Sequence, residues 1–468
     1  MSLTNLQHLI ETKQAVIGVI GLGYVGLPVA GRLAQVGFRV IGVDVKAERV
    51  ALINAGRNPI DGDEPGLAEL LAAVTATLTP APLPGRERGG SQPDRAGLSF
   101  YTTTEYQELA QADVVLIDVE TPVDADHTPR YEALKNACRS LGAVMKKGTL
   151  VIVESTVAPG TTGQVIRPLL EEASGWQADR DFFLGACPER VMPGKLLLNL
   201  RTMSRVCGGG TPETAAAMVA FYRHLVEADL DVADIVTAEV VKTAENAYRD
   251  VQIAFANEVA LICEAVGADV WQVRELVNKV PYRQMHLPGA GVGGHCIPKD
   301  PWLLAYGAAG RAPVRLIPAA RAINDGMPHH VADLTIEALQ AAGVPLDQAR
   351  VAVLGYAYLA DSDDTRHSPS EALVGRLREL GLQVAIHDPW VRAYQGDLWA
   401  LLSGCDAAVV MVAHRAYYDL DSNRLATTLR TPILIDGRHV SQADKAQAAG
   451  LFYRAVGQGD NGNVKRET

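Results

Sequence analysis

Between Ala15 and Asp44 the chain carries the pattern that most restricts its fold. Ala15-Val-Ile-Gly-Val-Ile20 is a continuous apolar run, suited to a strand buried on both faces. Gly21-Leu-Gly-Tyr-Val-Gly26 follows, residues 27–36 read as a helix, and residues 38–44 form a second strand ending on an acid, 18 positions after Gly26. Strand, tight turn, helix and second strand in that order make a crossover unit, and such units build parallel sheets. The glycines have separate tasks: one makes the turn, one lets the backbone approach a pyrophosphate, and one lets helix and strand pack closely. The helix N-terminus then turns free N–H groups toward the phosphates. Asp44 can accept hydrogen bonds from both ribose hydroxyls of NAD and repels the 2′-phosphate of NADP. The pattern points to a bound dinucleotide, NAD first, with flavin adenine dinucleotide as the competitor.

Further strands are expected at residues 114–119, 150–154 and 182–187, with helical patterns between them. From about 211 to 277 the pattern turns helical, and residues 236–266 hold neither proline nor glycine, which predicts one long helix. A helix of that length suits a spine between domains or a dimer contact. Strands return at 351–355, 383–387, 407–412 and 432–436. The expected fold is α/β, with two Rossmann-like parallel-sheet domains (residues 1–210 and 326–468) joined by a helical middle domain (211–325) with a long central helix. Residues 79–97, with four prolines and four glycines, are expected to form a surface loop.

A formal charge of −11 argues against a nucleic-acid partner, which normally calls for a basic face. No apolar run approaches the roughly 18–20 residues that cross a bilayer, and the first residues lack a signal-peptide pattern, so no membrane partner and a cytoplasmic location are expected. None of the six cysteines forms a C-x-x-C pair; five read as small buried hydrophobes, and no metal site is expected. The sixth, Cys296, sits in Pro288-Gly-Ala-Gly-Val-Gly-Gly-His-Cys-Ile-Pro-Lys-Asp-Pro301. Four glycines ahead of a thiol allow close backbone approach to a ligand. Beside a hydride acceptor, a nucleophilic thiol can trap an aldehyde as a thiohemiacetal that loses a second hydride. Asp300, four residues on, can reach the same site.

These segments together resemble the nucleotide-sugar 6-dehydrogenases, which oxidise the C6 alcohol of UDP- or GDP-hexoses to a uronate with two NAD⁺. The resemblance runs from about residue 16 to 457. It rests on the glycine turn, Glu154-Ser-Thr-Val-Ala-Pro-Gly-Thr161, Pro188-Glu-Arg-Val-Met-Pro-Gly194, Glu239-Val-Val-Lys-Thr-Ala-Glu-Asn246, the glycine–cysteine loop, Asp363-Asp-Thr-Arg-His-Ser-Pro369 and Asp436-Gly-Arg438. It implies that Cys296 is the nucleophile and that Lys242 and Asn246, four apart on one helix face, stabilise the developing oxyanion. Asp300 would orient or activate water, helped by Thr156 and Glu189. Gly21, Gly23, Tyr24, Val25, Gly26, Asp44, Thr121, Thr156 and Arg366 would contact the cofactor. Glu189, Arg190, Lys242, Asn246, Gly293 and Arg438 would contact the sugar nucleotide, with Arg366 and Arg438 at positions that meet phosphates, in part across a dimer interface.

Three residues depart from the family pattern: Glu120 near the expected nicotinamide, Leu359 where many members carry a lysine, and Pro193 where the UDP-glucose branch has a glutamate. Pro-Glu-Arg-Val-x-Pro-Gly and Gly-Val-Gly-Gly-His-Cys-Ile-Pro resemble the branch acting on UDP-N-acetylglucosamine or UDP-N-acetylmannosamine, where His295 and Arg190 would accommodate the acetamido group. The alternatives are a UDP-glucose 6-dehydrogenase, a two-electron hydroxy-acid dehydrogenase of the same domain plan, and a non-catalytic sugar-nucleotide-binding homologue. The resemblance also implies a homodimer or higher homo-oligomer and a place in polysaccharide biosynthesis.

Overall fold

A computed structural model describes residues 1–60, 64–75 and 99–459, and the expected loop at 79–97 lies outside the described residues. Two units emerge, Met1–Glu245 with Trp302–Ala312, and Asn246–Pro301 with the chain from Pro313 onward.

The first unit is built on eight strands: β1 (Val16–Ile20), β2 (Arg39–Val43), β3 (Phe100–Thr103), β4 (Val114–Ile117), β5 (Leu150–Val153), β6 (Phe183–Ala186), β7 (Arg205–Gly209) and β8 (Leu230–Asp234). They lie in the order β3-β2-β1-β4-β5-β6-β7-β8, parallel throughout except for β6 against β7. Strands such as Val114-Val-Leu-Ile117 and Leu150-Val-Ile-Val153 are apolar at every position because both faces are covered. One face packs around Leu27, Leu33, Val40 and Phe221, the other around Leu134, Leu141, Val151 and Leu170. The chain leaves β1 toward β2 and later returns on its other side as β4, so a crevice opens at the carboxyl ends of β1 and β4.

β8 falls in the stretch read as helical. Its Leu230-Asp-Val-Ala-Asp234 sits at the sheet edge with mixed exposure, so it lacks the apolar run that marks a central strand. The long helix spans Ile235–Val266, in close agreement with the sequence pattern.

The second unit holds a five-stranded, wholly parallel sheet of β9 (Arg350–Leu354), β10 (Gln383–His387), β11 (Ala407–Val410), β12 (Ile433–Asp436) and β13 (Phe452–Ala455), in the order β10-β9-β11-β12-β13. The helix Leu316–Ala341 packs Met327, Val331 and Leu339 against one face. The carboxyl end of β10 is fixed by Asp388, whose Oδ2 accepts from Tyr356 N (2.6 Å), Ala357 N (2.9 Å) and His414 Nε2 (3.1 Å), and whose Oδ1 accepts from Trp390 N (2.8 Å) and Val391 N (3.0 Å). The fold is thus α/β, with two Rossmann-like sheets and helical segments between them. Among the described residues no helix is long and apolar enough to cross a membrane.

Candidate active site

In the first unit Gly21, Gly23, Tyr24, Val25 and Gly26 form the turn between β1 and the helix Gly26–Gln35. A Cβ on Gly26 would stand 2.0 Å from the carbonyl oxygen of Gly21, so only glycine permits that packing. A Cβ on Gly23, by contrast, would meet nothing within 4 Å, which leaves open space over the turn. The turn is held from below: Asp44 Oδ2 accepts from Leu22 N (3.0 Å) and from Arg49 Nη1 (2.9 Å), while Oδ1 accepts from Lys46 N (2.9 Å). A glycine cradle open to solvent, a helix N-terminus and a buried acid after β2 fit a bound NAD.

Thr121, Thr156 and Glu189 follow β4, β5 and β6 at their carboxyl ends. Buried Thr121 donates through Oγ1 to the Thr156 carbonyl (2.6 Å), tying the first two loops together. Burial pushes the Glu189 carboxyl up, opposed by the charges of Lys242 and Arg205, so Lys242 faces Glu189 electrostatically. The helix that carries Lys242 also holds both neighbouring loops. Glu239 accepts from Gly160 N (2.5 Å) and Thr162 N (2.8 Å) in the loop after Thr156. Glu245 accepts from Arg190 Nε (3.1 Å) and pairs with its Nη2, and Arg190 Nη1 donates to Ser204 O (2.7 Å) and Oγ (2.9 Å). The guanidinium of Arg190 is therefore committed to protein partners beside Glu189.

Beneath these loops lies a polar cluster that single-residue reading missed. Glu154 Oε1 accepts from Arg205 Nη1 (2.7 Å) and Tyr222 OH (2.6 Å), all three buried. Burial and the adjacent Glu154 carboxylate push Asp118 well above the usual carboxylate range. The available signal was membership of a motif: Glu154 and Glu239 each open a segment quoted above. Glu120 is exposed, so its carboxylate lies at the surface of this unit.

Cys296 of the second unit is exposed, whereas Cys138, Cys187 and Cys207 of the first unit and Cys263 and Cys405 of the second are buried. The cysteine loop is shaped by close packing. Gly294 has φ +92°, and a Cβ there would strike the Tyr358 ring at 2.8 Å; its N–H donates to Arg366 O (2.9 Å). Gly293 packs equally close to Tyr358 and His367. Asn246 Nδ2 donates to Asp300 Oδ2 (2.6 Å), and Lys299 Nζ pairs with Asp300 Oδ1 (2.8 Å). Asp300 is fully buried, and its backbone N–H donates to Cys296 O (2.8 Å), so the first helical turn after the thiol fixes the acid. Burial, then the charges of Lys299 and Arg366, lower the His295 imidazole below its ordinary range, which keeps it neutral at pH 7.

Arg366 pairs with Asp364 through Nε (2.9 Å) and Nη2 (2.6 Å). Arg438 donates from Nε to Met411 O (2.9 Å) and from Nη2 to Gly291 O (3.0 Å), and burial lowers it to about 10. Among the described residues it forms no ion pair, which leaves a desolvated positive charge suited to an anion. Leu359 is exposed. The second unit thus brings together Asn246, Gly293, Cys296 and Asp300, and Lys242 precedes Asn246 by one helical turn.

Three family models cover the chain in order: the NAD binding domain of the UDP-glucose/GDP-mannose dehydrogenase family at residues 15–79 and 92–226, its central domain at 236–326, and its UDP binding domain at 352–443. The chain belongs to the UDP-glucose/GDP-mannose dehydrogenase family. It is an NAD-using oxidoreductase of the nucleotide-sugar dehydrogenase class, with a domain for a UDP-sugar. It is 37% identical over 444 residues to the UDP-N-acetyl-D-mannosamine dehydrogenase of Pyrococcus horikoshii, covering 95% of this chain and 99% of that one. It is 34% identical to the NDP-N-acetyl-D-galactosaminuronic acid dehydrogenase of Ralstonia nicotianae, covering 95% and 100%. The solved structure of the Pyrococcus horikoshii UDP-D-ManNAc dehydrogenase superposes with a TM-score of 0.85 at 35% identity, over 95% of this chain and 99% of that one.

Proposed function

We propose that the protein oxidises the C6 alcohol of a UDP-N-acetylhexosamine to the uronate in two NAD⁺-dependent steps through a covalent adduct on Cys296. The observation that carries this reading is an exposed thiol whose own loop delivers a buried acid, Asp300, already held by Asn246 and Lys299. The glycine turn and Asp44 would hold NAD⁺, which would supply the hydride acceptor for two successive oxidations. In the first, the C6 alcohol loses a hydride and a proton to become the aldehyde. The Cys296 thiolate adds to the aldehyde carbon, and Lys242 and Asn246 stabilise the oxyanion of the resulting thiohemiacetal. Loss of the second hydride from that oxyanion collapses it to the thioester. Asp300, with Glu189 and Thr156, directs water onto it; the carbon–sulfur bond breaks, the thiol is restored, and the carboxylate leaves.

The N-acetylated sugar is supported by relatives named for UDP-N-acetylmannosamine and for an N-acetylgalactosaminuronate, and by the Pro-Glu-Arg-Val-x-Pro-Gly and Gly-Gly-His-Cys signatures. With Arg190 engaged by Glu245 and Ser204, we assign it to holding the Glu189 loop, and leave acetamido contact to His295. Arg438 and Arg366 are assigned to the diphosphate. NADH formation with UDP-N-acetylmannosamine, UDP-N-acetylglucosamine, UDP-N-acetylgalactosamine and UDP-glucose tests this. An N-acetylated sugar is expected to give the highest kcat/KM, and a preference for UDP-glucose would overturn the assignment.

A homodimer is part of this proposal. Tyr248, Phe255 and Ile262, seven residues apart on the long helix, are 65%, 58% and 54% exposed and form an apolar stripe that a second chain can cover. Light scattering of the wild type and of Phe255→Glu is expected to give two chains and one chain; a monomeric wild type would reject it. Five buried thiols outside any disulfide suit the reducing cytosol, the setting we assign.

A further inference from the structure

We propose that Glu64 is a positioning residue that fixes the dinucleotide turn and the Glu189 loop to one another. Glu64 is only 8% exposed, and its carboxylate meets both segments. Oε1 accepts from the hydroxyl of Tyr24, in the centre of the glycine turn, and from Gly194 N (2.8 Å). Oε2 accepts from Leu196 N (3.3 Å). Gly194 closes Pro188-Glu-Arg-Val-Met-Pro-Gly194, the segment that carries Glu189, and Leu196 opens the helix Leu196–Thr202. One carboxylate thus satisfies backbone donors at a helix start, where negative charge is favoured, and anchors the ring of Tyr24.

The geometry makes Tyr24 and Gly194 share one acceptor oxygen. Displacing that oxygen releases the cofactor turn and the Glu189 loop together, although the two segments lie far apart in sequence. A side chain serving stability alone would not link NADH affinity to Glu64 through the Tyr24 hydroxyl. The part that concerns Glu189 rests on the reading of Glu189 as a residue that helps direct water; the part that concerns the dinucleotide does not.

The test is a double-variant cycle read by NADH fluorescence titration, with thermal midpoints in parallel. Glu64→Gln keeps the side-chain size but removes the charge, and Tyr24→Phe removes only the hydroxyl. A hydrogen bond to a charged group predicts that each weakens NADH binding by about tenfold. The double variant is expected to match the weaker single variant, because both remove the same link. Unchanged NADH affinity in a folded Glu64→Gln, or losses that multiply to about a hundredfold, would overturn the proposal. If Glu64→Gln does not fold, unchanged affinity in Tyr24→Phe overturns it alone. The Glu189 arm is read as turnover with saturating NAD⁺, expected to fall in Glu64→Gln; unchanged turnover there overturns that arm. Full turnover in Glu189→Gln would instead remove the catalytic reading of Glu189 and leave the NADH arm standing.

Discussion

Asp300, the acid proposed to direct water, shows how a buried carboxylate is held in place. A carboxylate with no exposed surface needs compensating partners, and Lys299 supplies a charge while Asn246 supplies a donor at 2.6 Å. The amide of Asn246 orients Asp300, and the proposed reaction asks it to stabilise an oxyanion as well. Asn246→Ala removes both. Loss of one such donor costs roughly a hundredfold or more in kcat, and steady-state kinetics should show that drop with little change in the KM for NAD⁺. Wild-type kcat in this variant would remove Asn246 from the site. Arg438 makes the complementary point, since a half-buried guanidinium that donates to two carbonyl oxygens, with no ion pair among the described residues, keeps its charge available for an anion.

Among the elements, the turns after strands do the positioning. In the first sheet the loops after β4, β5 and β6 carry Thr121, Thr156 and Glu189, and the long helix pins those after β5 and β6 through Glu239 and the Arg190–Glu245 pair. In the second sheet Asp388 does this for the turn after β9, whose Tyr358 packs against Gly293 and Gly294. Burial alone would raise the Asp388 carboxyl; the His414 hydrogen bond and the N–H groups of Ala357, Tyr356 and Val391 outweigh it and hold the group far below its usual range. A depressed folded value means that the contribution is complete above the unfolded value of about 3.9 and is lost as pH falls below it. The thermal midpoint should therefore decline below about pH 4. Asp388→Asn is expected to be less stable than wild type at pH 7 and to show a flatter decline between about pH 5 and 3. An acid profile parallel to that of the wild type would contradict this.

For the whole molecule, what the sequence discloses depends on whether the signal is local. The β1–glycine–helix–β2 unit and the long helix are legible because apolar runs and the absence of proline and glycine are properties of contiguous residues. β3, β7, β8 and β13 are not: β3 and β13 are edge strands of four residues, β8 is an edge strand of mixed exposure, and β7 ends on two glycines that cut short its apolar run. The same division holds at the site. Cys296, Asp300, Asn246 and Lys242 are proposed from spacing and motif, whereas Glu64, Asp118 and Arg205 gain their meaning only from partners distant in the chain. Arg190 was visible as a motif residue, yet its partners Ser204 and Glu245 were not, and they change its assignment.

The central claim is a four-electron oxidation routed through Cys296, and its stoichiometry tests it most directly. Excess NAD⁺ with a limiting amount of the preferred UDP-N-acetylhexosamine should yield two NADH for each sugar consumed. Cys296→Ala should release no uronate and fall far short of two. One NADH per sugar in the wild type, or two in Cys296→Ala, would contradict the account.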